Sequence, residues 1–158
     1  MITSDIQEFC HNLGDFGLIL GIDFGTKKLG IAISNPERTM SLPISIIPHE
    51  IHQIESTIKQ YKPLGIVVGL PVNMDGTMGA QAELVRKFAQ KLLCNFGLPI
   101  FLQDERLTTR AAGNALRVLG LNRKQRDERD DQVAAAMILE TTLASIARWN
   151  SQEISGPA

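Results

Sequence analysis

The chain has 158 residues, a formal net charge of −1, 44% hydrophobic residues and 21% charged residues. That length suits one domain around one core, the composition excludes intrinsic disorder, and the near-neutral charge excludes a large basic field, so any nucleic-acid contact needs a local patch. No apolar run approaches the roughly 18 residues of a bilayer span.

The N-terminal "MITSDIQEFCHNLGDFG" carries acids where a signal peptide carries bases. Residues 1–16 read as an amphipathic extension, with Ser4 or Asp5 capping a turn of helix and Ile6, Phe9 and Leu13 on one face. "LILGID" is a strand, "FGTKK" a turn and "LGIAIS" a second strand, which Asn35-Pro36 breaks. "LPISIIP" is a third strand near an edge, because Pro43 removes a ladder donor. These three form an antiparallel meander. "EIHQIESTIKQYK" has Ile51, Ile54, Ile58 and Tyr61 at helical spacing and stops at Pro63. "LGIVVGL" is an apolar strand covered on both faces. After the loop "PVNMDGTMG" comes a helix, "AQAELVRKFAQKLLCNF", with Leu84, Val85, Phe88, Leu92 and Phe96 as its stripe and Gly97 as its stop. "LPIFLQDE" is a strand, and "TTRAAGNALRVLG" a helix. "LNRKQRDERD" has no hydrophobic period and reads as a flexible loop; "DQVAAAMILETTLASIARW" is a long helix, and 150–158 a fraying tail. Strands interleaved with helices after a meander predict an α/β domain with a mixed sheet over 1–158. Cys10 and Cys94 lie far apart and read as free thiols, which suits a soluble cytoplasmic protein.

Three acids stand at element ends: Asp23 after the first strand, Glu105 after "FLQD", and Asp131 at the start of the last helix. Gathered at one edge of the sheet, where open α/β sheets bind ligands, they would repel one another unless a divalent cation intervened. Mg²⁺ takes such oxygen donors, and two ions can activate water and stabilise the leaving oxygen in phosphodiester hydrolysis. Each acid also has a plainer reading. Asp23 would simply start a turn, Glu105 would pair with Arg106 at a solvated strand end, and Asp131 would be a first-turn acid favoured by the helix dipole. Gly21 and Gly25 flank Asp23 and permit close approach of other groups. Ala134, Ala135 and Ala136 keep the last helix slim.

Four segments in one order, "GIDFGTKKLGIAIS", "VVGLPVNMDGT", "DERLTT" and "DDQVAAAMILE", resemble the YqgF family over roughly residues 18–145. The resemblance implies a ribonuclease-H-like fold, with a five-stranded mixed sheet (the meander plus two parallel strands) and helices on both faces. It also implies a Mg²⁺- or Mn²⁺-dependent endonuclease. Asp23 matches the family's first-strand aspartate, Glu105 the acid of "DER", and Asp131 the aspartate of "DxxAA"; Asp130 would put Val133 at the first alanine position. The implied substrate is the 5′ end of pre-16S rRNA, or else branched DNA, with the ribosome or its precursor as a partner and no membrane. The oligomeric state is left at monomer or homodimer, branched DNA favouring the dimer. Residues 1–16 precede the family's first motif and read as a packing extension or as an upstream start.

Around these acids, Thr26, Lys27, Lys28, Asn73 and Arg106 are candidate phosphate contacts, and Arg123, Lys124 and Arg126 form a basic segment able to close over a strand. Each has the plain alternative of a turn residue or a solvated charge. Aromatic residues are 5% of the chain, too few to suggest a base-stacking platform. His11, His49 and His52 read as surface residues. Two other functions stay in view: an ATP-binding module, for which "DFGTKKLGIA" resembles a phosphate loop but a second domain lacks room, and a non-catalytic nucleic-acid binder.

Overall fold

The computed structural model describes the backbone of residues 1–73, 75–107 and 123–154, and side chains for these except at 107, 123–132 and 154. In chain order, β1 (Ile2–Thr3) leads into α1 (Ile6–Leu13). Asp5 caps that helix, its Oδ1 accepting from the Gln7 N–H at 2.9 Å. Then come β2 (Ile19–Phe24), β3 (Lys28–Ser34) and β4 (Ser41–Pro48), the antiparallel meander expected. Asn35 shapes its second turn, since its Oδ1 accepts from both Thr39 N and Met40 N. Helix α2 (Ile51–Tyr61) ends on a left-handed Lys62, whose N–H returns to the Ile58 carbonyl. Strand β5 (Gly65–Leu70), helix α3 (Ala80–Phe96, closed by a left-handed Gly97) and strand β6 (Ile100–Asp104) follow. Helix α4 (Arg123–Ile154) completes the described elements.

The sheet runs β1-β6-β5-β2-β3-β4. Strands β2, β5 and β6 are mutually parallel, so their carboxyl ends lie together. Strand β4 is at an edge, as Pro43 suggested, and the β3–β4 register shifts between Ile31 and Ala32 beside that proline. One face of the sheet packs on α2 and α3 through Leu20, Ile22, Ile54, Ile66, Val68, Val85 and Leu92. The other packs on α1 and α4 through Phe9, Ile19, Val67, Phe101, Ala135, Leu139 and Ile146. The alternation along each strand follows from the two-residue period of extended chain.

Four expectations need correction. The sheet has six strands among the described residues, not five, because Ile2 and Thr3 pair in parallel with Ile100 and Phe101. Two residues carry no periodicity, yet they cover an edge of β6 that would otherwise lack partners. The segment read as a flexible loop is helical from Arg123 onward. Its residues are good helix formers, and the pairs Arg123/Asp127, Lys124/Glu128 and Arg126/Asp130 put opposite charges four apart, which supports a helix without an apolar stripe. The helix also continues through 150–154, part of the tail expected to fray. Finally, Leu84 is half exposed, and the buried stripe of α3 is Ala82, Val85, Ala89 and Leu92. Small residues let α3 lie close to the sheet and turn Leu84 outward. The helix expected over 108–120 falls outside the described residues.

Residues 1–16 are a packing element. Phe9 is fully buried and stacks on Phe101, with ring centroids 5.3 Å apart. Arg38, itself buried, donates to the carbonyls of Gly14 (2.7 Å), Gly17 (3.0 Å) and Leu13 (3.3 Å), satisfying the end of α1. Phe9→Ala is expected to lower unfolding free energy by about 3–5 kcal/mol, measured by urea denaturation.

Candidate active site

Strand geometry decides where the acids point. Along β2, Ile19 and Gly21 face α4, and by the same alternation so does Asp23. Along β6, Phe101 and Gln103 face α4, and Glu105, opening a short 3-10 turn at the strand's end, continues that side. Between β2 and β6 lies β5, whose α4-facing residue at this level is Gly69, paired with Gln103. A Cβ on Gly69 would run into Glu105 Oε1 and would lie 3.0 Å from Glu105 Cδ and 2.6 Å from Ile138 Cδ1. The missing side chain is therefore the space in which the Glu105 carboxyl lies.

The two acids do meet. A hydrogen bond joins the Asp23 and Glu105 side chains, and the Glu105 carboxyl is pushed up to about 7. Burial is the largest cause, followed by the Asp23 charge, the hydrogen bond to Asp23 and the charge of Asp104. The same causes favour keeping a proton on the pair, a role that a cation would fill instead. Hard oxygen donors, converging and short of positive charge, suit a divalent ion of the Mg²⁺ class. Among the described residues, no group of three His, Cys, Asp or Glu side chains converges.

Asp131 lies on α4, but its side chain is outside the described ones. The helix itself is well placed. Ala135 O and Leu139 Cβ would lie 3.2 and 2.8 Å from a Cβ on Gly21. Helix α4 thus lies close against β2 at Gly21, two residues before Asp23. Gly21 and the slim Ala135 make this close approach possible, as their small size suggested.

The other candidates fare differently. Arg106 pairs with Asp104, not Glu105: its Nε donates to Asp104 Oδ2 at 3.0 Å and its Nη2 at 2.7 Å, and this holds the Asp104 carboxyl below the usual range. Thr26 and Lys27 are exposed in the turn after β2, and Lys28, expected in that turn, opens β3. Asn73 is bonded within its own loop, donating from Nδ2 to Thr77 Oγ1 at 3.0 Å and from N to Thr77 O at 2.9 Å. Arg123, Lys124 and Arg126 lie in the first turns of α4, their side chains outside the described ones. His11 and His52 are on the surface, as expected. His49, also exposed, bonds the Gly25 carbonyl and packs edge-on against Phe24, bracing the turn beside Asp23. Sequence reasoning gave His49 and Gly69 no such roles; a glycine ending an apolar strand was the available signal for Gly69.

Acids brought together at the carboxyl ends of a mixed sheet, with helices on both faces, mark the ribonuclease-H-like nucleases. T. thermophilus RuvC, solved in complex with a Holliday junction substrate, has this fold: it aligns with TM-score 0.51 at 12% identity, covering 83% of this chain and 96% of that one. A family model described as "RuvX: Holliday junction resolvase" matches residues 17–145, and the chain belongs to that family. A protein of Rickettsia bellii (strain OSU 85-389) is 48% identical over 151 residues, 92% of this chain and 98% of its own. One of Rickettsia canadensis (strain McKiel) is 47% identical over 154 residues, 94% and 100% respectively. Both carry the name "Putative pre-16S rRNA nuclease".

Two outcomes follow from this geometry. Because Glu105 is raised above its ordinary value, its contribution to folding is full below about 4.5 and is lost as pH rises through about 7. Without divalent ions, melting temperature should fall across that window, by at most about 1.4 kcal/mol per pH unit in stability. Glu105→Gln should flatten the slope, and added Mg²⁺ should restore stability at pH 8. Gly69→Ala should displace the Glu105 carboxyl and weaken Mn²⁺ binding by about tenfold or more, read by calorimetric titration.

Proposed function

We propose that the protein is a divalent-metal-dependent endonuclease that hydrolyses phosphodiester bonds at the 5′ end of pre-16S rRNA. Asp23 and Glu105 hold the ion, with Asp131 from α4 as the third acid. The observation that carries this reading is the Asp23–Glu105 pair, joined over Gly69, with burial and the Asp23 charge raising the Glu105 carboxyl. Helix α4 supports the third position: Asp131 stands one turn before Ala135, which lies against β2 two residues from Asp23. A bound Mg²⁺ or Mn²⁺ would supply the positive charge that lets both carboxyls ionise and that stabilises charge developing on phosphate oxygens.

The chain's own groups do the rest. A bound ion would let Glu105 ionise, so that both carboxylates serve as oxygen donors fixed at the ends of two parallel strands that flank β5. The exposed Lys27 and Lys28 flank this end of the sheet and suit the phosphates on either side of the scissile bond. Arg106 is already neutralised by Asp104, so it serves first to fix the turn that carries Glu105: its N–H also donates to Asp104 Oδ1 at 2.9 Å. The whole of 1–158 acts as one nuclease domain in the cytoplasm, where this substrate is made.

The test is incubation of purified protein with 5′-extended 16S rRNA precursors and with four-way DNA junctions, in Mg²⁺, Mn²⁺ or chelator. Cleavage of the RNA should require the ion, and Asp23→Asn should lose about 10³-fold in rate while still binding RNA. Equal cleavage by wild type and Asp23→Asn overturns the site. Cleavage confined to the junction moves the substrate to branched DNA, which the same chemistry serves.

A further inference from the structure

Gln103 and Thr142 are both buried, and they bond to one another across elements 39 residues apart in sequence. Thr142 Oγ1 donates to Gln103 Oε1 at 2.9 Å, joining β6 to α4. It also lies 3.2 Å from the Ile138 carbonyl, so its one proton is shared between two acceptors. A hydrophobic pair of similar volume would serve stability as well or better. The location gives the polar pair its purpose. Gln103 stands two residues before Glu105 on the same side of the strand. Thr142 stands one turn after Ile138, the residue that packs beside Glu105 over Gly69. Asp131 lies roughly three turns before Thr142, about 16 Å along the same helix.

The rest of the contact between α4 and the sheet is largely non-directional. Ala135, Ala136, Ile138, Leu139 and Leu143 fill space without fixing where the helix stops along its axis. Ser41 Oγ does donate to Ala136 O at 2.7 Å. A backbone carbonyl, however, recurs at every position of the helix, whereas a single buried hydroxyl meeting a single buried amide defines one register.

We propose that the Gln103–Thr142 hydrogen bond is a positioning device that sets the axial register of α4 against the Asp23–Glu105 pair and thereby tunes affinity for the divalent ion. This rests on the reading of Asp23, Glu105 and Asp131 as the ion site. Ligand positions matter at a few tenths of an ångström in such sites, and outer partners of metal ligands are worth about 10–100-fold in affinity or activity.

The test compares Thr142→Ser, Thr142→Val and the double variant Gln103→Leu/Thr142→Val. Three quantities are read: Mn²⁺ affinity by calorimetric titration without substrate, the Mn²⁺ dependence of cleavage, and melting temperature. Thr142→Ser keeps the hydroxyl and should match wild type. Thr142→Val removes the donor to the buried Gln103 Oε1 and should lose both stability and about tenfold in Mn²⁺ affinity. The double variant should recover melting temperature yet keep the affinity loss, a split that a purely structural role does not produce. Wild-type Mn²⁺ affinity in the double variant overturns the proposal while leaving the site intact. Undiminished Mn²⁺ binding by Asp23→Asn, run alongside, overturns the site and the proposal with it.

Discussion

Two carboxyl groups that repel when ionised are held in hydrogen-bond contact by the sheet, and the organisation of the molecule turns on that fact. Neither acid chose its neighbour locally. Asp23 and Glu105 end strands that are separated in the sheet by β5. They touch because β5 offers no side chain at Gly69. In such a place burial and the neighbouring charge both disfavour ionising the second of the two, a penalty that a proton or a cation would lift. The fold thus sets up an unfavourable arrangement of two carboxyl groups before any other molecule arrives.

Helix α4 extends this constraint to the other side. It lies close to β2 because Gly21 and Ala135 are small, and its buried residues seal the face on which both acids project. Burial in turn is the largest cause of the high Glu105 value. Packing and electrostatics are here one design: the tighter the helix lies on the sheet, the drier the carboxyl pair and the greater its demand for positive charge. Arg106 does not meet that demand, since Asp104 engages it bidentately.

Much of this was legible from the residues. The apolar run before Asp23 and the strand ending at Glu105 identified both acids as costly, and the meander, β5, α3 and β6 followed from period and punctuation. What escaped was non-local or too short. Ile2–Thr3 is two residues long and becomes a strand only against β6. The start of α4 lacks an apolar stripe, so attachment to a packed helix carries it, and periodicity is blind to that. Gln103 and Thr142 are each unremarkable in sequence; their bond exists only once β6 and α4 are packed. Gly69 reads as a turn glycine until the residue beside it in space is known.

The N-terminal segment shows how far the constraint reaches. The family match begins at residue 17, yet residues before it close the sheet beside the strand that carries Glu105. Strand β6 without β1 would be an edge, with unpaired backbone groups and freedom to twist. Instead Ile2 and Thr3 pair along it, Phe9 stacks on Phe101 four residues before Glu105, and Arg38 ties the end of α1 back to the core through three carbonyls. A carboxyl held at high energy moves away if its scaffold yields. Bracing β6 on both edges and on both faces is what keeps Glu105 over Gly69, and so the segment that contributes no chemistry of its own still bears on where the chemistry is held.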